Sequence, residues 1–110
     1  EWMAEAKAVE GAGAFCVVGE GIVEQAAREI TAAIAIPTIG IGASPACDGQ
    51  ILVTEDLLGV FENVPKFVRP YAHLHETIGQ ALAEFAADVR ARRFPAQAQT
   101  YAETVNPSGD

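Results

Sequence analysis

The chain has 110 residues, half of them hydrophobic and a fifth charged, a balance found in globular domains rather than in disordered or fibrous proteins. Seven basic against fifteen acidic residues give a net charge of -8, which repels a phosphate backbone and argues against a nucleic-acid partner. No apolar run reaches the roughly eighteen residues needed to span a membrane. The acidic start, Glu1-Trp-Met-Ala-Glu5, is unlike a signal peptide, and Cys16 and Cys47 lack CxxC or histidine spacing, so reduced thiols and a cytoplasmic location are expected.

Residues 1–13 are rich in alanine and other good helix formers and end in Gly11 and Gly13, which predicts a helix entering a strand. The strand, residues 14–20, is an apolar run closed by the carboxylate of Glu20 and followed by Gly21. Ile22, Val23, Ala26, Ala27, Ile30, Ala33 and Ile34 then mark one apolar helical face, with Glu24, Gln25, Arg28 and Glu29 on the wet side. Residues 36–42 predict a second buried strand, since Pro37 is tolerable at a strand's first residue and Gly40 and Gly42 mark its end. Helix and strand alternating through tight links is the rhythm of parallel βα units, so the fold class is α/β. Residues 43–50 read as a turn-rich loop and 51–53 as a short third strand. Thr54 or Asp56 is expected to cap a one-turn helix that Gly59 ends, and residues 61–70, with two prolines, read as irregular. Leu74, Ile78, Leu82, Phe85 and Val89 predict a long helix over 71–93. Its end carries Arg90, Arg92 and Arg93, where cations suit the negative pole. Residues 97–110 lack apolar periodicity and are expected to be a mobile tail.

Glu20 is the residue placed for chemistry. Ligands and catalytic groups gather at the carboxyl ends of parallel strands, and a carboxylate closing such a strand is a candidate. The alternative is a solvated acid favoured by the start of the next helix. Gly40-Ile-Gly42-Ala-Ser44 resembles a phosphate-cradling loop but lacks the third glycine of a dinucleotide fingerprint and the Gly-Lys-Ser/Thr of a P-loop, which leaves a tight strand-end turn as the other reading. His73 and His75, two apart, face different sides of a helix and read as surface residues, not as a metal pair. Asp48 precedes a strand and so falls at the end opposite Glu20, and Ser44 has no GxSxG context.

Gly13-Ala-Phe leading to Glu20, Ile36-Pro-Thr-Ile-Gly-Ile-Gly-Ala43, and Asp48-Gly-Gln-Ile-Leu-Val53 with Asp56 and Gly59 together resemble the C-terminal part of the ketopantoate hydroxymethyltransferase family. Pro65-Lys-Phe-Val68 and Arg92-Arg-Phe-Pro95 extend the likeness, so that residues 1–96 are expected to form the C-terminal portion of a single domain. The resemblance implies a TIM (β/α)8 barrel of the phosphoenolpyruvate/pyruvate superfamily, with this chain supplying strands six to eight and the last helices. It implies that Glu20 is the base that takes the C3 proton of 3-methyl-2-oxobutanoate, and that the enolate attacks the one-carbon unit of 5,10-methylenetetrahydrofolate. It further implies Mg²⁺ on the keto acid, with ligands and a substrate-positioning lysine upstream of this chain, and a homo-oligomer of complete chains, a decamer. Three strands cannot close a barrel, so the chain alone is expected to be inactive. Departures from the family pattern are Gly19 and Gly21-Ile-Val23 around the glutamate, which loosen its backbone, Ser44 for a more usual glycine, and Ala98-Gln99 near a terminal Glu-His. A stand-alone α/β module binding a partner or small anion through residues 40–44, and another lyase or aldolase of the superfamily, are the competing readings.

Overall fold

The computed structural model describes residues 1–103. It forms two units, Glu1–Leu74 and a second beginning at His75. In the first, α1 (Trp2–Gly11) leads to β1 (Val17–Glu20), α2 (Glu24–Ala33), β2 (Thr38–Ile41), β3 (Gly49–Gln50) and a one-turn α3 (Thr54–Leu57). The strands make a parallel sheet in the order β1-β2-β3. Val17 lies beside Thr38 and Glu20 beside Ile41, while Ile39 and Gly40 lie beside Gly49 and Gln50.

Helix α1 stops as its sequence suggests. Gly13 takes φ +96°, its N–H donates to the Glu10 carbonyl and the Ala14 N–H to that of Val9, a Schellman closure that a glycine makes without a Cβ penalty. The core is the layer between helices and sheet, where Ala6 of α1 and Ile30 and Ile34 of α2 are buried and Met3, Val17 and Ile36 pack on them. Side chains alternate across a strand, so Val17 faces this layer while Val18 and Glu20 face away, on the side they share with Ile39 and Ile41. That far side is thinly covered: Val18 is 51% exposed. The continuous apolar runs predict burial on both faces, and within this unit only one face has a helical layer.

Element edges differ from the sequence expectation for identifiable reasons. Strand β2 begins at Thr38 rather than at residue 36, because Pro37 has no N–H and the Ile36 N–H is taken by the Glu10 carboxylate at 3.3 Å. The Pro37 carbonyl accepts the Val17 N–H at 3.0 Å, and pairing of β1 starts there instead of at residue 14. The third strand is Gly49–Gln50, not residues 51–53, and the segment expected to be loop therefore ends in ladder. Asp48 causes the shift: its carboxylate accepts the Thr38 N–H at 2.8 Å and pins the start of β3 against β2. Pairing ends with the Ile51 N–H on the Gly40 carbonyl at 3.0 Å, after which Val53 already serves as the N-cap of α3. Neither Thr54 nor Asp56 supplies the expected side-chain cap. Gly59 ends α3 at φ +69°, and a side chain there would collide with Ala72. The Tyr71 and Leu74 N–H groups return to the carbonyls of Leu57 and Leu58, at 2.7 and 3.1 Å, which folds the irregular segment 61–70 back on α3.

The second unit is dominated by α4 (Leu74–Arg90), three residues shorter at each end than the periodicity suggests. Arg92 closes it in the left-handed region at φ +58°, and Arg93 donates to Asp88 at 3.0 Å, so the basic cluster serves the helix end as expected. Ile78, Leu82, Phe85 and Val89 form its apolar stripe, each 43–63% exposed, with Phe94 edge-on to Phe85 at 5.3 Å. Within the segment expected to be mobile, Gln97–Gln99 forms a 3-10 turn held by the Ala96 N–H on the Gln99 side chain; residues 104–110 lie outside those described.

Candidate functional site

Glu20 is the last residue of β1 and is exposed. Its neighbours set its backbone. Gly21 takes φ +61°, which turns the chain sharply out of the strand, and its N–H donates to the Ile41 carbonyl at 2.9 Å. At Gly19 the missing side chain is replaced by Ile22, whose Cδ1 lies 2.9 Å from where a Cβ would stand. The two departures expected to loosen this backbone are thus complementary in shape, because Ile22 reaches back over Gly19 and occupies the space a larger residue would fill.

A second carboxylate organises the same end of the sheet. Glu24, in the first turn of α2, accepts on Oε1 from Ser44 Oγ at 2.7 Å and from Arg28 Nη2 and Nε at 2.7 and 3.1 Å. The Ser44 hydroxyl, followed by the Arg28 guanidinium, holds the Glu24 carboxyl below the usual carboxylate range. Ser44 itself is buried at 3% exposure. Its Oγ accepts the Ala46 N–H at 3.0 Å and its carbonyl accepts Gln50 Nε2 at 2.7 Å. The loop after β2, the start of α2 and the end of β3 are therefore joined by one set of bonds. Sequence reading placed Glu24 on the wet face of α2 and Ser44 among the family departures; the pair emerges only when the loop after β2 is laid against α2. The available signal was Ser44 itself, a hydroxyl where glycine is more usual.

The glycine-rich segment is a strand and its turn. Gly40 lies inside β2, beside the Cys47 and Gln50 side chains, and Gly42 at φ +62° packs under Phe67, which occupies the place of any side chain there. With Ser44 bonded to Glu24, two of the features that suggested an anion cradle have internal partners. Asp48 sits at the opposite end, on Thr38, as its place before a strand implies. His75 is half-buried, with Nε2 3.9 Å from Glu76 Oε1, and His73 lies just before α4. Cys16 and Cys47 are free thiols.

Among the described residues no three His, Cys, Asp or Glu side chains come together as a group able to hold a metal ion. The described side chains do not by themselves fit the Mg²⁺ that the resemblance implies. Nor, among the described residues, is any helix long and apolar enough to cross a membrane.

A parallel α/β sheet with a carboxylate at the carboxyl end of one strand defines a class, the enzymes and binding proteins built from βα units that present ligands at that end. The profile of the ketopantoate hydroxymethyltransferase family matches residues 1–97, and the chain belongs to that family. It is 63% identical over 99 residues to the 3-methyl-2-oxobutanoate hydroxymethyltransferase of Hyphomonas neptunium, covering 90% of this chain and 36% of that protein. The protein of the same name from Phenylobacterium zucineum is 63% identical over 97 residues, 88% of this chain and 35% of its own length. That from Caulobacter vibrioides is 55% identical over 97 residues, again 88% and 35%. The chain thus spans about a third of the length of the relatives it matches.

Proposed function

We propose that the complete protein carrying this chain transfers a hydroxymethyl group from 5,10-methylenetetrahydrofolate to 3-methyl-2-oxobutanoate, giving 2-dehydropantoate, with Glu20 as general base. The observation that carries the reading is the place of Glu20 at the carboxyl end of a parallel strand, in a chain that belongs to this family. The Glu20 carboxylate accepts the proton from C3 of the keto acid. The C–H electron pair then forms the enolate, and C3 bonds to the bridging methylene carbon as its two C–N bonds break, with a water molecule supplying the hydroxyl and tetrahydrofolate leaving with the nitrogen electron pairs and the protons.

Family membership and the uncovered sheet face support a TIM barrel to which this chain contributes the last three strands. Glu20 then points toward the axis at the top, and the remaining strands cover Val18, Ile39 and Ile41. General base catalysis supplies typically about 10² to 10⁴-fold, short of the roughly 10⁶-fold or more that enzymes achieve. The charge developing on the keto oxygen must be met by groups outside this chain, which alone is inactive in this reading.

Formation of 2-dehydropantoate by the complete protein and its Glu20→Gln variant tests the assignment. Loss of about 10² to 10⁴-fold in kcat is expected, with circular dichroism showing that the variant keeps its fold. A variant that keeps wild-type turnover would remove Glu20 from the role of base.

A further inference from the structure

The loop that follows Glu20 is short on anchors of its own. Glycines flank the residue, and the N-cap of α2, Val23, supplies no side-chain cap. The upstream end of the loop is tied by the Gly21 N–H on the Ile41 carbonyl. Its downstream end is tied by Glu24, and there the partner is not local. Ser44 belongs to the loop after the neighbouring strand, is almost wholly buried, and is itself fixed by the Ala46 N–H and by Gln50.

We propose that Ser44 and Glu24 form a latch between the loops after β1 and β2 and act as positioning residues for Glu20. Three donors converge on one oxygen, Glu24 Oε1. Of these, the exposed Arg28 pair, 53% and 47% exposed at its two side chains, contributes little on its own. The Ser44 bond is different, because one partner is buried and cannot exchange it freely for water. With the loop pinned at Gly21 and Glu24 and filled by Ile22 over Gly19, the carboxylate of Glu20 leaves the strand in one direction despite its flanking glycines. A misplacement of about 1 Å at a catalytic group costs on the order of a hundredfold, so a latch of this kind acts on turnover rather than on affinity. This inference rests on the proposed role of Glu20.

The test uses the complete protein with Ser44→Ala, Glu24→Ala, the double variant and Ser44→Thr. Two readouts are followed: amide hydrogen exchange at Gly21, and kcat and KM for 3-methyl-2-oxobutanoate. Expected for either alanine variant are faster exchange at Gly21 and a kcat lowered about tenfold to a hundredfold with KM held. The double variant should be no worse than the single ones, since the two residues act through one bond, and Ser44→Thr, which keeps the hydroxyl, should recover most of the turnover. Glu24 is exposed, so its variant remains informative if loss of the buried Ser44 hydroxyl impairs folding. Unchanged protection at Gly21, or faster exchange with unchanged kcat, would overturn the latch. A complete wild-type protein that does not turn over the keto acid would overturn the proposed function instead, while protection at Gly21 would still decide whether the latch holds the loop.

Discussion

At the amino end of the sheet, polar side chains bond one another and the backbone. Asp48 accepts from the N–H and hydroxyl of Thr38, Thr31 Oγ1 lies 2.9 Å from Thr38 Oγ1, and Glu10 holds the N–H groups of Ala35 and Ile36 at the entry to β2. At the carboxyl end, Glu20 stands exposed between two glycines, while Glu24 and Ser44 bond beside it. The same parallel sheet therefore commits Asp48 and Glu10 at one end to joining elements, while Glu20 at the other is exposed. This division is expected where strand carboxyl ends carry chemistry and amino ends carry stability.

Substitutions can sharpen or break that contrast. The largest effect on stability is expected at Gly42, where valine would need the left-handed φ of +62° and the space held by Phe67. A loss of about 2–4 kcal/mol follows from strain and overpacking together, read as a lower denaturant midpoint of the complete protein. At the amino end, Asp48→Ala leaves the buried Thr38 N–H without its acceptor. About 1–3 kcal/mol should be lost with turnover per folded molecule kept; a fall in turnover without a fall in stability would erase the distinction between the ends. Thr31→Val removes the hydroxyl that bonds Ala27 and Thr38, and about 1 kcal/mol is expected.

The smallest effect is the titration of Glu24. Its folded-state pKa is lowered by Ser44 and then Arg28, so its contribution is present above the ordinary carboxylate range and is lost as pH falls through the lowered value. Carboxyl-carbon NMR of the complete protein should place the Glu24 midpoint below that of free glutamate, and Ser44→Ala should move it upward. An unshifted midpoint would mean that the Ser44 bond is not held in solution.

Much of this was legible in the sequence, and the rest failed for physical reasons. The βα rhythm, the strand closing at Glu20, the stop at Gly13 and the stripe of α4 are local patterns of period and turn chemistry, and each is present. The register of β3 was not legible, because it is set by Asp48 reaching across to the Thr38 N–H, a contact ten residues away in the chain. Helix α3 starts at Thr54 and stops before Gly59 as its sequence suggests, but the side-chain cap expected of Thr54 or Asp56 is absent, and the turn is held by backbone bonds and the return of residues 71 and 74. Around Glu20, the glycines at 19 and 21 read singly as looseness. Only the packing of Ile22 and the bond between Ser44 and Glu24 show how that loop is held.

The most direct measurement follows the C3 proton of 3-methyl-2-oxobutanoate in deuterated buffer containing Mg²⁺. The protein is supplied as two polypeptides, this chain and the remaining two thirds of the complete sequence, with circular dichroism of the mixture confirming assembly. Exchange by the assembled mixture, none by this chain alone, and loss of exchange when this chain carries Glu20→Gln are the expected results. Undiminished exchange from an assembled mixture carrying Glu20→Gln would contradict the central claim that the carboxylate closing β1 is the base.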